Sequence, residues 1–323
     1  MLYSLHAQPS LLPDFFSSYD HFQQLCALGC SRQCNLCFGF LAVIGKILPT
    51  LSLDSSFVNI LEVWNDGVES TFDEIGRVLI DKGGAEYMVA FDTEFAIPDG
   101  TVRSKGEPPT ADGHYEQLCA YVNRGNLVQV GIGFADERYN LVGGKIFQFN
   151  IRFDPALREP DHKGVEVMRK AGLKLEEHAK RGIPAERFTK LLAASGVLGN
   201  GKLAWITFMG YIDFGYLIRL LRGKDLPASR EHFLNEFRAF FPRSYDCKVF
   251  FKYGECIEEP VPGGLSGVAS ELGVKREVEG HHQAASDALL ALKCHRKLMR
   301  MKPDFGAKIC TMLYGVQPFL ETP

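Results

Sequence analysis

The sequence predicts an α/β fold in which helices flank a mixed β-sheet within a single domain. The chain contains both short apolar runs typical of buried strands and longer segments of helical periodicity. The strand-like runs come mostly first and the helices mostly later, with one strand returning at 205–208, an order that favours a mixed sheet covered by helices. The 323 residues can bury one large core or two modest ones, and the composition, 46% hydrophobic and 23% charged, is ordinary for a soluble globular protein.

The first predicted elements follow from periodicity and from turn residues. The folded domain is predicted to cover residues 56–318 and to open with a helix, because apolar residues recur at helical spacing from Ile60 to Val78. Gly83-Gly84 is predicted to end this helix. Residues 88–91 form a short apolar strand, and residues 101–112, rich in glycine and proline, are predicted to be a long loop.

The remaining predicted elements are three strands and five helices. Strands are predicted at 127–134, 146–153 and 205–208. Helices are predicted at 164–180, 185–194, 214–221, 231–240 and 286–301, the last being long enough to close the domain.

The two ends of the chain differ from this domain. Residues 1–55 have few charges and no sustained period, and we expect a poorly ordered extension; residues 319–323 are a short tail. Four cysteines cluster in the extension, at Cys26, Cys30, Cys34 and Cys37. A zinc site is disfavoured because four ligands within a dozen residues would strain a tetrahedral cage, and no second CxxC lies at zinc-ribbon distance.

Charge and cysteine usage narrow the classes of function. The net charge of −3 gives no global attraction to nucleic acid, so a nucleic-acid site must be local or depend on bound cations. The longest apolar run, 38–48, is too short for a bilayer, which needs about 20 residues, so we expect no membrane segment. Nine cysteines, five of them scattered singly, fit reduced thiols in the cytosol or nucleus.

Three short acidic motifs contain the candidate catalytic and metal-binding residues. In the first, Asp92 and Glu94 follow a strand, where residues i and i+2 share a face, so both carboxylates are expected to converge. Converging carboxylates raise each other's pKa unless a cation lies between them. Taken alone, the pair could also be solvated acids at the end of a strand.

The second and third motifs each lie near the start of a helix. Asp213 leads into an apolar stripe, a position that also suits an ordinary N-cap. His282 precedes Asp287 by five residues, with small residues between them. If that helix begins near Gln283, Asp287 faces inward while His282 lies on the preceding loop, able to reach a water on a metal. The alternative is that the two residues are an exposed histidine and a surface aspartate without a functional role.

In their order, the motifs resemble those of the DEDD exonuclease superfamily, in the subclass with a histidine in the last motif. The chain is further similar to the Caf/Pop-type mRNA deadenylases, the nuclease subunits of the Ccr–Not complex. Similar stretches span about residues 58–316 and comprise 60–64, 129–131, 147–150, 181–183, 195–197, 241–246, 263–265 and 313–315. The chain departs from the family at 96–100, where Pro-Gly-Val-Val is usual, and at 209–212, where a His-Ser-Gly-Tyr run is usual.

The resemblance implies a ribonuclease H-like sheet and a metal-dependent 3′–5′ exoribonuclease that shortens poly(A) tails and releases 5′-AMP. It implies that Asp92, Glu94, Asp213 and Asp287 bind two Mg²⁺ or Mn²⁺ ions and that His282 is the general base. It also implies binding of the poly(A) RNA 3′ end, assembly with the scaffold and partner deadenylase subunits of the Ccr–Not complex, and residence in the nucleus and cytoplasm. The chemistry agrees, since two divalent cations can activate a water and stabilise the developing charge on phosphate.

Neighbouring residues leave alternatives open. Arg219 and Arg222 share a helix face and could guide a phosphate backbone, or form a solvated face with Lys224. Phe95 and Tyr216 could stack on bases or belong to the core. The competing functions are a catalytically weak scaffold within the same complex and an exonuclease acting on DNA.

Overall fold

The computed structural model describes residues 58–81, 86–97, 110–156, 162–254, 264–278 and 282–318. All of these lie within one compact unit, Phe57–Pro323. The expectations for the extension, its four cysteines, the glycines at 83–84 and the tail fall outside the described residues. No described helix is long and apolar enough to cross a membrane.

Six strands form one mixed sheet. In chain order they are β1 Asn59–Val63, β2 Tyr87–Ala96, β3 Asn126–Ala135, β4 Lys145–Asn150, β5 Leu203–Thr207 and β6 Ser244–Asp246. Their order across the sheet is β1-β4-β3-β2-β5-β6. The pairs β2–β3 and β3–β4 are antiparallel, whereas β1–β4, β2–β5 and β5–β6 are parallel. The mixed sheet that the sequence predicts is therefore present.

Eleven helices are described around this sheet. They are α1 Val68–Asp81, α2 Ala111–Arg124, α3 His162–Lys170, α4 Leu175–Arg181, α5 Ala185–Ala194, α6 Tyr211–Arg222, α7 Arg230–Phe240, α8 Cys247–Tyr253, α9 Gly264–Glu271, α10 Ala284–Met301 and α11 Pro303–Lys308. A 3₁₀ turn, Val142–Gly144, precedes β4.

The strands bury both faces because successive side chains point to opposite sides of the sheet. On β2, Phe91 belongs to the core beneath α2, α5, α6 and α7, whereas its neighbour Ala90 belongs to the core beneath α8, α9 and α10. Trp205 and Ile206 divide between the same two cores on β5. Asp92 and Glu94 share the parity of Ala90, so they lie on the side that α10 covers.

Several predicted boundaries differ from the observed ones. The first predicted helix begins as strand β1, because Asn59–Val63 pair with β4 and helical geometry starts only at Val68. The predicted helix at 164–180 is two helices separated at Gly172, whose φ of 88° breaks helical geometry. The predicted loop ends two residues early, since Thr110 caps α2 by accepting a hydrogen bond from the Gly113 N–H at 3.1 Å. The strand predicted at 146–153 ends at Asn150.

Candidate active site

The candidate site lies where strand β2 outlasts its parallel neighbour. Strand β5 pairs with β2 only up to Ala90, whereas β3 continues alongside β2 to Ala96. The sheet therefore has an open corner beside Asp92 and Glu94. These two residues lie within the strand rather than after its end, and their side chains share a face as predicted.

A cavity of about 370 Å³ occupies this corner. The five residues predicted from the sequence as metal ligands or base all line it: Asp92, Glu94, Asp213, His282 and Asp287. Its other lining residues are Thr93, Phe95, Phe208, Met209, Ile212, Gly264, Leu265 and Ser266.

Asp213 reaches the cavity from α6, on the opposite side of the sheet from α10. It lies in the first turn of α6 and is not the N-cap, which is Gly210. Its Oδ1 accepts two hydrogen bonds from Thr93, one from the backbone N–H at 2.9 Å and one from Oγ1 at 2.6 Å. Thr93, which the sequence analysis overlooked between the two acids of the first motif, thus fixes the second motif to the first.

A hydrogen bond also joins Asp287 and His282 at the start of α10. The helix begins at Ala284 with Gln283 as its N-cap, so Asp287 lies in the first turn, as predicted. The backbone N–H of His282 donates to Asp287 Oδ2 at 3.0 Å. His282 is exposed and holds a positive φ of 59°, an uncommon conformation that turns the chain sharply into the helix.

Close approach of α10 to the sheet depends on Gly131 of β3. A Cβ at this position would lie 2.4 Å from the carbonyl carbon and oxygen of Ala284. The third motif itself has small residues between His282 and Asp287, and Gly131 is the matching small residue on the sheet.

The carboxyl groups of the site destabilise one another's charges. Burial, and then repulsion from Asp287 and Asp213, raises the pKa of Glu94 to about 8. Burial raises the pKa of Asp213 to about 7, against the hydrogen bonds from Thr93. The pKa of Asp92 lies well above its ordinary value because of burial and repulsion from Asp213 and Glu94.

This donor set fits hard divalent cations. Carboxylate oxygens are the ligands that Mg²⁺ and Mn²⁺ prefer, and a cation among these acids would offset the burial and repulsion that raise the pKa values of Asp92 and Glu94. Within the described residues, single ligand atoms of Glu94, His282 and Asp287 lie within 4.8 Å of one another. His282 therefore stands close enough to the acids to act on a water beside them or to contact a metal itself.

Among the neighbouring residues for which two roles are open, Arg219, Arg222 and Tyr216 make structural contacts. Arg219 donates to the Gly125 carbonyl at 3.3 Å, and Arg222 donates to the Asp225 carbonyl at 3.0 Å and pairs with Glu236. Tyr216 is 1% exposed and stacks on Phe95 with ring centroids 4.9 Å apart. Tyr216 is thus a core residue, whereas Phe95 is half-buried and faces the cavity.

Relatives and solved structures match nearly all of this unit. Subunit 7 of the CCR4-NOT transcription complex of Caenorhabditis elegans is 35% identical over 271 residues, covering 80% of this chain and 84% of the relative. The Mg²⁺- and Mn²⁺-bound structure of Pop2p from S. pombe is 30% identical, with a TM-score of 0.70, covering 79% of this chain and 99% of that one. The RNase domain of yeast Pop2 is 25% identical, with a TM-score of 0.68, covering 82% and 97%. No family model matches the chain.

The fold and these similarities define the class of protein first: a nuclease, and hence a hydrolase, built on a ribonuclease H-like sheet. Within that class, the chain belongs to the family of Caf/Pop-type deadenylases in the DEDD exonuclease superfamily.

Proposed function

We propose that this protein is a divalent-metal-dependent exoribonuclease that shortens poly(A) tails from the 3′ end and releases 5′-AMP. The convergence of Asp92, Glu94, Asp213, Asp287 and His282 on one cavity carries the proposal. A relative solved with Mg²⁺ and Mn²⁺ supports the choice of metals.

Each residue has a role that follows from its chemistry. The four carboxylates would hold two cations, which when bound would polarise a phosphate oxygen and make a water more acidic. Thr93 keeps Asp213 in place, and the His282 N–H keeps Asp287 in place. The exposed imidazole of His282 would take the proton of the attacking water, the general-base role that histidine fills most often in enzymes.

The protein would act within a larger assembly. The relative named as a subunit of the CCR4-NOT complex supports membership of that complex, together with its scaffold and partner deadenylase. Residence in the nucleus and cytoplasm is part of the same proposal; free thiols at Cys119, Cys247, Cys294 and Cys310 are consistent with reducing compartments.

The test is a time course on A-tailed RNA labelled at one end or the other. With Mg²⁺ or Mn²⁺, 5′-labelled RNA should shorten one nucleotide at a time, and a 3′ label should leave at once as mononucleotide. EDTA or Asp92→Ala should abolish both signals. An A-tailed DNA and a tail of another base should be degraded more slowly. Full activity in EDTA would overturn the proposal, and RNA binding without cleavage by the wild type would favour the scaffold instead.

A further inference from the structure

Arg276, in the segment that precedes α10, pairs with Asp287 at the edge of the acidic cavity. Its Nη2 donates to Asp287 Oδ1 at 2.5 Å, and its Nη1 donates to Ser286 Oγ at 2.6 Å. Both side chains of the Arg276–Asp287 pair are 14% exposed. This is therefore a short, largely desolvated ion pair rather than a surface contact.

The pair occupies oxygens that the proposed function assigns to metal. Asp287 Oδ1 is engaged by Arg276 and Oδ2 by the His282 N–H, so both oxygens already accept strong hydrogen bonds. Arg276 thus neutralises part of the acidic cluster from within the chain.

We propose that Arg276 is an internal counter-ion that competes with a divalent cation for Asp287, so that metal binding requires the guanidinium to release Asp287 Oδ1. The inference rests on the proposed function, since it concerns the same carboxylates. A guanidinium and a metal seek the same lone pairs, and two cations a few ångströms apart repel each other strongly in a partly buried site.

A second cavity gives the released side chain somewhere to go. It also measures about 370 Å³, and its lining includes Ser266, Ser270, Lys275, Arg276 and Leu290. Ser266 and the Arg276 pair connect it to the acidic cavity. Withdrawal of the guanidinium into this space needs a change of side-chain rotamers, not a movement of the sheet.

The test is the affinity of the full-length protein for Mn²⁺, measured by calorimetry without RNA. Arg276→Gln should bind Mn²⁺ about tenfold more tightly than the wild type, because it removes the competing charge. The matched control is Lys275→Gln, which removes an adjacent exposed charge that also lines the second cavity; its affinity should stay within about twofold of the wild type.

The outcomes separate the two proposals. If the wild type binds Mn²⁺ and Arg276→Gln binds it equally or more weakly, the competition is wrong while the proposed function stands. If neither protein binds Mn²⁺, the proposed function falls and takes this inference with it. A merely structural arginine would lower the affinity when removed, whereas a competitor raises it.

A measurement on the wild type covers the case in which Arg276→Gln fails to fold. The guanidinium ¹⁵N signals of Arg276, assigned by their absence in Arg276→Lys, should be protected from exchange in EDTA. Saturating Mg²⁺ should remove that protection as the guanidinium leaves Asp287. Protection that persists at saturating Mg²⁺ would overturn the inference.

Discussion

Asp213→Asn tests directly what it costs to bury a charged carboxyl group at the acidic site. The substitution removes the charge but keeps an oxygen that can accept both hydrogen bonds from Thr93. In the absence of metal, we expect the variant to be more stable than the wild type at pH 8. The usual result of changing a 5% exposed, doubly hydrogen-bonded side chain is a loss of stability, so the sign is diagnostic.

The magnitude follows from the pKa of Asp213. A rise from the ordinary 3.8 to about 7 corresponds to roughly 4 kcal/mol at about 1.4 kcal/mol per pKa unit. Burial of the charge is the main cause of this rise, and the substituted amide must still be buried, so we expect a gain of about 2 kcal/mol.

The raised pKa of Asp213 fixes the direction in which the free energy of unfolding changes with pH. Because the folded-state pKa is raised, the folded protein holds a proton that the unfolded chain loses above about pH 4. The wild type therefore loses stability as the pH rises from about 4 to about 7. The gain from Asp213→Asn should be near zero at pH 4, grow across this window and level off above it.

The assay is urea unfolding in EDTA, followed by tryptophan fluorescence at several pH values. Asp73→Asn, an exposed position on α1, is the control and should show no gap that changes with pH. Saturating Mn²⁺ should reverse the order, since only the wild type retains the full ligand set and gains the binding energy. A variant less stable than the wild type at pH 8 in EDTA, or a gap independent of pH, would refute the reasoning.

Three further predictions concern the base, the packing of α10 and the extension. His282→Ala should lower kcat by about 10²–10⁴-fold while leaving metal and RNA affinity largely intact, because a base acts in the transition state. His281→Ala is the control and should have little effect. If His281→Ala lowers kcat and His282→Ala does not, the histidine of the third motif is assigned to the wrong residue. Gly131→Ala should cost about 1–3 kcal/mol of stability and reduce activity, because the added Cβ would meet the Ala284 backbone. The control is Gly76→Ala, in open space on α1, which should be neutral or slightly stabilising. Equal effects of the two substitutions in a thermal melt would contradict the close contact between α10 and the sheet. Deletion of residues 1–55 should leave a soluble, active nuclease, and aggregation of the truncated protein would show that the extension belongs to the fold.

The sequence was sufficient to predict the strands whose apolar runs are continuous. Strands β2, β3 and β5 lie inside the sheet and each contains such a run, at 87–91, 130–135 and 203–206, because both faces of these segments are largely buried. The sequence predicts a helix in place of β1 because the apolar residues of this strand also fit the period of α1, and only pairing with β4 decides between the two. Strand β6, three residues long, and the short helices α8, α9 and α11 carry too few residues to show a period.

The sequence predicts the site residues that belong to recognisable motifs. The four acids and His282 lie in three motifs whose order along the chain resembles that of a known family. Thr93 and Arg276 act through contacts that the sequence hides: Thr93 meets Asp213 across 120 positions, and Arg276 meets Asp287 from a loop 11 residues away. Asp246 is a similar case, since it accepts hydrogen bonds from the backbone N–H groups of Met209 and Gly210 and so holds the turn that leads into α6.

The central claim is that four carboxylates from three separated motifs form one metal centre. Crystals of the full-length protein soaked in Mn²⁺ and measured near the manganese absorption edge test it most directly. We predict two anomalous peaks in the cavity, each within about 2.0–2.6 Å of carboxylate oxygens drawn from Asp92, Glu94, Asp213 and Asp287. The peaks should disappear in Asp92→Asn crystals soaked at low Mn²⁺. An empty cavity at saturating Mn²⁺, or peaks bound only to other residues, would contradict the account.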